Sequence, residues 1–238
     1  PDAVRATAPG VVVYDTILPR DVDAEPVPRS TRLAYVMRRC QEAQQRAVFA
    51  HPWLDRVDAI LVPHEPAEFG YEVPPPLRAR TTFVGPIVRL PNPEVQAHLR
   101  ARYRLRDGDF VLTSTVGGGG FAEQADAFFE VVFAVHRRLA AAVPTLRHLA
   151  IQGPNYRQAL DPLPGMTVVA VEPDIIDLLA ISDLAIAEGG YNTVNEVRVT
   201  RTPAVFLPSR RTVDDQEERV RALEARGLAR VLSGLTSH

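Results

Sequence analysis

The sequence contains no lysine, because all 27 of its basic residues are arginine. Lysine holds phosphate in a Walker loop, forms Schiff bases and serves as a general base, so these three lysine chemistries are excluded. The single cysteine, Cys40, excludes an internal disulfide and a metal site built from several cysteines. One free thiol is also what we expect of a protein in the reducing cytoplasm.

Long apolar runs and a strong net charge are missing too. No uninterrupted apolar run reaches the ~18 residues of a membrane-spanning helix. The formal net charge is -2, which gives no electrostatic reason to expect nucleic acid as a partner. The 6 histidines show no metal-ligand spacing, so no metal site is predicted. A composition of 46% hydrophobic and 24% charged residues is typical of globular proteins.

Short apolar runs alternate with longer helical patterns, which is typical of βαβ units and a parallel sheet. Strands are predicted in the first part at Val11–Asp15, Leu33–Val36, Ala59–Pro63 and Thr81–Val84. Strands are predicted in the second part at Phe110–Thr115, Leu146–Ile151, Met166–Val171, Leu184–Ala187, Ala204–Leu207 and Ala229–Leu232. Helices of the second part are predicted at Ala122–Ala142, Asp174–Ala180, Tyr191–Thr200 and Val213–Arg226.

The stretch from Gly85 to Pro93 is the predicted domain boundary, because it places turn formers and stiff residues between two periodic regions. The prediction is an α/β protein with two Rossmann-like domains, residues 1–88 and 89–238. The chain opens at Pro1 and runs almost directly into a strand, so we expect the first domain to be incomplete. The second is expected to be a doubly wound parallel sheet, which binds ligands at the carboxyl ends of its strands.

A run of four glycines between a predicted strand and the longest helix is the first candidate site. Four glycines cost conformational entropy on folding, so a loop whose amides contact phosphate explains them better than a flexible connection does. With Ala122 they also match the Gly-x-Gly-x-x-Ala dinucleotide pattern. That pattern requires an acid after the next strand, and Gln152-Gly153 stands there, which disfavours a nicotinamide or flavin enzyme. The candidate residues are Gly117, Gly118, Gly119, Gly120 and Phe121.

A second strand-to-helix corner runs from Glu188 to Glu196. Its adjacent glycines allow a ligand to approach the backbone closely, and the first N–H groups of the new helix suit an anion such as a diphosphate. Asn192 and Thr193 are candidate helix caps. Glu196 lies about one turn further on, where it either binds sugar hydroxyls or is a solvated helix carboxylate. The candidate residues are Gly189, Gly190, Tyr191, Asn192, Thr193 and Glu196.

A third candidate segment, Asp214-Asp215-Gln216, opens the last predicted helix, after a strand ending at Leu207. Acids are favoured at helix amino termini, so capping alone explains them. Their position at the carboxyl edge of the predicted sheet equally favours recognition of ligand hydroxyls. The sequence leaves both interpretations open.

Together these three segments resemble the carboxyl-terminal nucleotide-binding domain of GT-B glycosyltransferases, and in particular of family 28. That family has a glycine-rich loop, then Ser/His-Gly-Gly-x-x-Thr/Ser-x-x-Glu, then Asp/Gln-Gln. Here these segments are Gly117–Gly120, Glu188–Glu196 and Asp215-Gln216, with Glu188 in place of the usual small polar residue or histidine. The resemblance covers about Phe110 to Leu232 and is only architectural before Leu90.

The resemblance implies metal-independent transfer of a sugar from a nucleotide-diphosphate donor, UDP- or dTDP-linked, to an acceptor hydroxyl, with no cofactor beyond the donor. The glycines and Thr193 would hold the diphosphate, Glu196 the ribose, and Asp215 and Gln216 the sugar or ribose. The backbone of Val171 and Glu172 would face the base. The implied partners are the donor and a small-molecule, lipid-linked or natural-product acceptor, with a peripheral membrane contact and no nucleic acid.

Two residues of the first domain are candidates for catalysis. Asp15 ends a strand and resembles an aspartate that orients the general base in some GT-B enzymes, although a strand-end turn residue is the alternative. His64 follows the strand that ends at Pro63, and we expect it to face the cleft between the domains. The general base of the family lies early in its amino-terminal domain, which we expect this chain to lack.

Two alternatives to a transferase stay open. A hydrolase or epimerase on the same fold would bind the same nucleotide sugar but aim a group at water or at the sugar. A non-catalytic subunit would bind the nucleotide sugar while its partner supplied the acceptor domain. The donor sugar, the acceptor and the oligomeric state do not follow from the sequence.

Overall fold

The computed structural model describes residues 7, 9–19, 27–28, 30–118, 122–209 and 216–232. The chain divides into two compact units, of which the first runs to Ile87 and the second begins at Val88. Within the described ranges, no helix combines the length and the apolar character needed to cross a membrane.

The first unit is built on a parallel sheet of four strands in the order β1-β2-β3-β4. Its strands are β1 (Val11–Asp15), β2 (Arg32–Val36), β3 (Ala59–Val62) and β4 (Thr81–Phe83). Its helices are α1 (Glu42–Phe49), a 3₁₀ helix (Pro52–Arg56), α2 (Pro66–Phe69) and α3 (Pro75–Arg78). Trp53, Tyr35 and Phe69 are fully buried in its apolar core. Burying one such side chain contributes about 1.5–3 kcal/mol to the hydrophobic stabilisation.

The prolines Pro74–Pro76 lead the sequence to predict a loop at Glu72–Leu77. That prediction is wrong for Pro75–Leu77, which lie in the short helix α3. Proline at the first helical position explains the difference. Its fixed φ suits the first turn, where the missing N–H would have no partner in the helix. The 3₁₀ helix and α2 begin with proline in the same way.

The second unit is a six-stranded parallel sheet in the order β10-β9-β8-β5-β6-β7. Its strands are β5 (Phe110–Thr115), β6 (Leu146–Ile151), β7 (Met166–Val169), β8 (Leu184–Ala187), β9 (Ala204–Phe206) and β10 (Arg230–Val231). Its helices are α4 (Pro93–Arg102), α5 (Ala122–Ala142), α6 (Ile175–Ala180), α7 (Tyr191–Thr200) and α8 (Gln216–Ala225). The predicted α/β class with parallel sheets and a doubly wound second sheet is confirmed.

The strand order reverses between β5 and β8. The chain moves from β5 outward through β6 and β7, and then returns to place β8 on the other side of β5. Thr115 pairs with both Ile151 and Ala187, so β5, β6 and β8 end level with one another. The loops that leave β5 and β8 therefore start side by side at the carboxyl edge, where doubly wound sheets bind ligands.

A buried polar chain joins α5 to the sheet. The Pro164 carbonyl can only accept, so His136 Nε2 (3.1 Å away) carries a proton, and in the neutral tautomer His136 Nδ1 is then an acceptor. His148 Nδ1, at 3.1 Å, donates to it, and His148 Nε2 then accepts from the Ser114 hydroxyl at 2.9 Å. Every group is satisfied with both rings neutral. Burial, and secondarily His136, lowers the pKa of His148 from 6.5 to about 3.

Candidate functional site

The first glycine corner leaves β5 at Val116. Gly117 has a φ of 63°, a left-handed conformation that favours glycine, and its N–H donates to Thr115 Oγ1 at 3.0 Å. The Gly118 carbonyl accepts from the Asn155 N–H at 3.1 Å. The corner is thus held by one side-chain contact, from Thr115, and one backbone contact, from Asn155. Of the predicted residues in this loop, Gly119, Gly120 and Phe121 lie outside the described residues.

Gly153, in the loop after β6, packs directly against this corner. A Cβ atom added to Gly153 would lie 2.2 Å from the Gly117 carbonyl oxygen and 3.1 Å from the Gly118 carbonyl carbon. Only a glycine allows the two backbones to approach this closely. The sequence pattern marks Gly153 only as the place where a ribose-binding acid is missing. Its position within two residues after a predicted strand was the sequence signal that could have indicated this close approach.

The second corner leaves β8 and is tied to β5, because the Glu188 N–H donates to the Thr115 carbonyl at 3.2 Å. Gly190 is the N-cap of α7, and no side chain of the described residues caps this helix. Asn192 and Thr193 lie inside the first turn, so their predicted role as caps is wrong. A Cβ added to Gly117 would lie 3.7 Å from Thr193 Oγ1, and the two corners therefore meet.

The start of α8 packs on the second corner. A Cβ added to Gly189 would lie 3.1 Å from the Gln216 carbonyl oxygen and 2.7 Å from Val220 Cγ1. The buried Gln216 side chain accepts through Oε1 from the Ser209 N–H and hydroxyl, at 3.3 and 3.2 Å. The predicted role of Gln216 toward a ligand would fall to its amide nitrogen, because Oε1 is engaged by Ser209. Asp215 and its neighbour Asp214 lie outside the described residues.

Arg219 is a residue of the second corner that the sequence analysis missed. Its Nη1 donates to the Gly189 carbonyl at 2.8 Å, and its guanidinium lies 5.8 Å from the centre of the Tyr191 ring. The contact holds α8 and the start of α7 together and brings a positive charge to the corner. Its position three residues after Gln216, one helical turn on, was the only sequence signal.

Glu196 lies on α7 one turn after Asn192 and is partly buried. Burial raises the pKa of this carboxyl, and the charge of Arg89 acts in the opposite direction. A carboxyl group that is partly removed from water gains from ligand hydroxyl donors, which replace the lost solvent hydrogen bonds. The environment of Glu196 is therefore compatible with the predicted contact to sugar hydroxyls.

The segment after β7 is fixed by the buried side chain of Glu172. Its carboxylate accepts from the Tyr103 hydroxyl, from Arg102 Nη1 at 3.2 Å and from the Asp174 N–H at 3.1 Å. Val171, which the sequence places in the strand, lies beyond the end of β7 and is 47% exposed. The Glu172 side chain is turned into the protein, so only its backbone stays available for the predicted contact with a base.

The two candidate catalytic residues have structural contacts within the first unit. Asp15 Oδ1 accepts from the Thr16 hydroxyl at 2.8 Å, and Oδ2 lies 3.2 Å from Arg38 Nη2. His64 is buried, its Nε2 accepts from the Arg39 N–H at 3.0 Å, and its ring packs on Phe69. These contacts explain both residues without catalysis, and their catalytic roles stay predictions. Among the described residues, no group of three or more His, Cys, Asp or Glu side chains forms a metal site.

The second unit has the architecture of a nucleotide-binding α/β domain, with glycine corners at the point where the strand order reverses. Residues 115–235, which are half of the chain, match the glycosyltransferase family 28 C-terminal domain. The chain therefore belongs to glycosyltransferase family 28, and the resemblance stated from the sequence is confirmed.

A curated relative is the UDP-N-acetylglucosamine--N-acetylmuramyl-(pentapeptide) pyrophosphoryl-undecaprenol N-acetylglucosamine transferase of Symbiobacterium thermophilum. It is 32% identical in an alignment of 190 residues that covers 75% of this chain and 47% of that protein. The chain thus spans about half the length of this curated relative.

Solved structures of glycosyltransferases share the fold. The glycotransferase of kitacinnamycin covers 100% of this chain with a TM-score of 0.59 and 18% identity, and 66% of that protein is matched. The spinosyn forosaminyltransferase covers 97% with a TM-score of 0.61 and 17% identity, and 64% of that protein is matched. At these identities the likeness shows the fold, which is the predicted GT-B fold.

Proposed function

We propose that this chain supplies the donor-binding part of a glycosyltransferase that moves a sugar from a nucleotide diphosphate to an acceptor hydroxyl. The meeting of the two glycine corners, with Gly117 beside Thr193, is the observation that carries the proposal. The amides of α7 open onto this place without a side-chain cap among the described residues. Backbone amides and a helix dipole at one point suit a diphosphate.

The proposed reaction breaks the bond between the anomeric carbon and the diphosphate while the acceptor oxygen bonds to that carbon. Negative charge develops on the departing diphosphate, and the first-turn amides of α7 stabilise it without a metal. Arg219, beside Gly189, adds a positive charge at the same corner. The proton of the acceptor hydroxyl passes to a general base supplied by the other domain.

The donor we propose is a uridine nucleotide sugar, because the name of the Symbiobacterium relative specifies UDP-N-acetylglucosamine. A thermal-shift screen of UDP-, dTDP-, GDP- and ADP-sugars tests this choice, since a ligand that binds the folded state raises its apparent stability. We expect the largest shift with a UDP-sugar, and a larger shift with a dTDP-sugar would overturn the choice of base. Cytoplasmic location stays a prediction that accompanies this donor.

Replacing Gly190 with alanine tests whether a ligand approaches the backbone at the second corner. Gly190 has a φ of -60°, and a Cβ atom there would meet no atom within 4 Å. The fold therefore does not require glycine at this position, and the thermal midpoint should stay unchanged. We expect the affinity for UDP, measured by calorimetry, to fall about tenfold, because the new methyl group stands where the diphosphate approaches.

Gly118→Ala is the matched replacement at the first corner, since a Cβ there would lie 3.9 Å from Asn155 Nδ2, an ordinary contact. If both variants keep the unmodified stability and the unmodified affinity for UDP, no diphosphate lies against these corners and the proposed function fails.

Replacing Glu196 with alanine is expected to weaken UDP binding by about 1–3 kcal/mol, the value of a hydrogen bond to a charged group. Glu196→Gln keeps an acceptor oxygen and should lose less affinity. Calorimetry with UDP and with free diphosphate distinguishes a contact of Glu196 with the ribose from a contact with the diphosphate. A ribose contact predicts that only UDP binding changes, whereas unchanged UDP binding would remove Glu196 from the site.

Product analysis separates the transferase from the two alternatives. A transferase releases UDP at a rate that depends on the acceptor, and lipid-linked and natural-product acceptors are to be tried in parallel. A hydrolase releases free sugar without an acceptor, and an epimerase returns an isomeric sugar. A binding subunit binds the donor and forms no product with any acceptor.

A further inference from the structure

A cavity of about 570 Å³ lies at the amino-terminal edge of the second sheet. Its walls include the starts of β9 and β10, at Ala204 and Arg230, and residues at the ends of α7 and α8. Because the strands are parallel, this edge is opposite to the one that carries the glycine corners. The volume is typical of small-molecule sites, ~300–1,000 Å³. The proposed donor does not account for this cavity.

The floor of the cavity is aliphatic. Val197, Ala204 and Leu223 are buried there, and Leu228 is 49% exposed. Its described lining contains no aromatic side chain and no carboxylate. Protein sites for planar bases commonly present aromatic rings, whereas an aliphatic floor suits a hydrocarbon chain, whose burial is favourable in proportion to its area.

Three arginines line the same cavity: Arg198, Arg201 and Arg230. Glu224, which follows the lining residue Leu223, does not itself line the cavity. Besides the hydrogen bond from the Val231 N–H, the charge of Arg230 also lowers the pKa of its carboxyl. Its Oε1 accepts from the Val231 N–H at 2.9 Å, and its Oε2 lies 2.6 Å from Arg221 Nη1. Arg198 also lies 3.4 Å from Asn195 Oδ1 through its Nη1. Three arginines thus border an aliphatic floor whose described lining has no carboxylate, an arrangement that matches a ligand with an anion at the end of an apolar chain. A guanidinium group can bind two phosphate oxygens at once through two parallel N–H···O hydrogen bonds.

We propose that this cavity binds an amphiphile in which an aliphatic chain carries a phosphate monoester. The chain lies on the floor formed by Val197, Ala204 and Leu223, and the phosphate lies among the three guanidinium groups. The site is separate from the donor site, and its occupation does not depend on the identity of the sugar nucleotide.

Arg201→Gly tests the site without endangering the fold. Arg201 follows α7 with a φ of 56°, a left-handed conformation that glycine adopts more readily than arginine. The thermal midpoint should therefore stay equal or rise. Octyl phosphate serves as the probe, and calorimetry on the full chain should show saturable binding that weakens about tenfold in the variant, as expected for one lost charge-assisted hydrogen bond.

Arg104→Gly is the matched control. Arg104 also follows a helix, α4, has a φ of 52° and does not line the cavity. The same charge and the same strain are removed, so octyl phosphate should bind this variant with the unmodified affinity. Equal weakening in both variants would mean general charge attraction and would overturn the proposal.

The two halves of the ligand are tested with inorganic phosphate and with octyl glucoside, and both should bind more weakly than octyl phosphate. Equal affinity for inorganic phosphate would show that the aliphatic floor is not used. Vesicles of phosphatidylcholine and phosphatidic acid present the same phosphate at a bilayer surface. Binding to the vesicles without binding to monomeric octyl phosphate, or no saturable binding to octyl phosphate, would likewise overturn the proposal.

Discussion

Replacing Gly153 with alanine is expected to lower the free energy of unfolding by about 3 kcal/mol. Its φ of 82° disfavours any residue with a Cβ, and that atom would lie 2.2 Å from the Gly117 carbonyl oxygen. The colliding atom belongs to the backbone, so the first glycine corner must shift to make room. Urea unfolding measures the loss of stability, and calorimetry should show weaker UDP binding in the same variant.

Gly165→Ala is the control for Gly153→Ala. Gly165 has a nearly equal φ of 81°, but its added Cβ would lie 3.4 Å from the Leu146 carbonyl oxygen, which is ordinary contact. This variant should lose only the ~1–2 kcal/mol due to the backbone conformation and should keep its affinity for UDP. Equal losses of stability in the two variants would contradict the close approach of the two loops.

Acid is expected to destabilise the second unit through His148. Burial lowers the pKa of this ring to about 3 in the folded chain, against 6.5 for the ordinary side chain. Below pH 6.5 the His148 ring therefore binds a proton in the unfolded chain but not in the folded chain. The contribution of the buried, neutral His148 to the free energy of unfolding is fully present above pH 6.5. It is lost as the pH falls toward 3, at roughly 1 kcal/mol per pH unit.

Urea unfolding of His148→Gln over this pH range isolates that contribution. The replacement keeps a polar group between Ser114 and His136 but cannot titrate. The slope of the unfolding free energy against pH should therefore decrease by the amount that the uptake of about one proton on unfolding produces. His98→Gln, at an exposed histidine, is the control for the chemical change itself, and its slope should change less than that of His148→Gln. An unchanged slope in His148→Gln would show that the buried pair does not contribute.

The sequence predicts the elements well where one pattern acts alone. β5, β6 and β8 have the predicted bounds, and so do the helices α5 and α7. Each is a continuous apolar strand or a helix whose apolar residues repeat with the helical period, and burial in the sheet agrees with that local preference. Predictions that depend on a single residue at an element end were less accurate, as at Val171 and at the supposed caps Asn192 and Thr193.

The site depends on contacts that no local pattern encodes. Gly117 and Thr193 are distant in sequence, and so are Gly189 and Gln216. The first pair comes together because β5 and β8 are neighbours at the point where the strand order reverses, and the second because β8 and β9 are neighbours. The buried hydrogen bonds of Glu172 with Tyr103, and the contact of Arg219 with Gly189, follow from the same folding of distant segments.

The sequence by itself determined the family, the alternation of strands and helices, and the exclusion of lysine and disulfide chemistry, because these depend only on residue type and spacing along the chain. Tertiary structure alone decided which glycines are sterically required, that the Glu172 side chain is buried, and that three arginines line one cavity with an aliphatic floor. These properties depend on distances between segments, and packing sets those distances only when the whole sheet has formed.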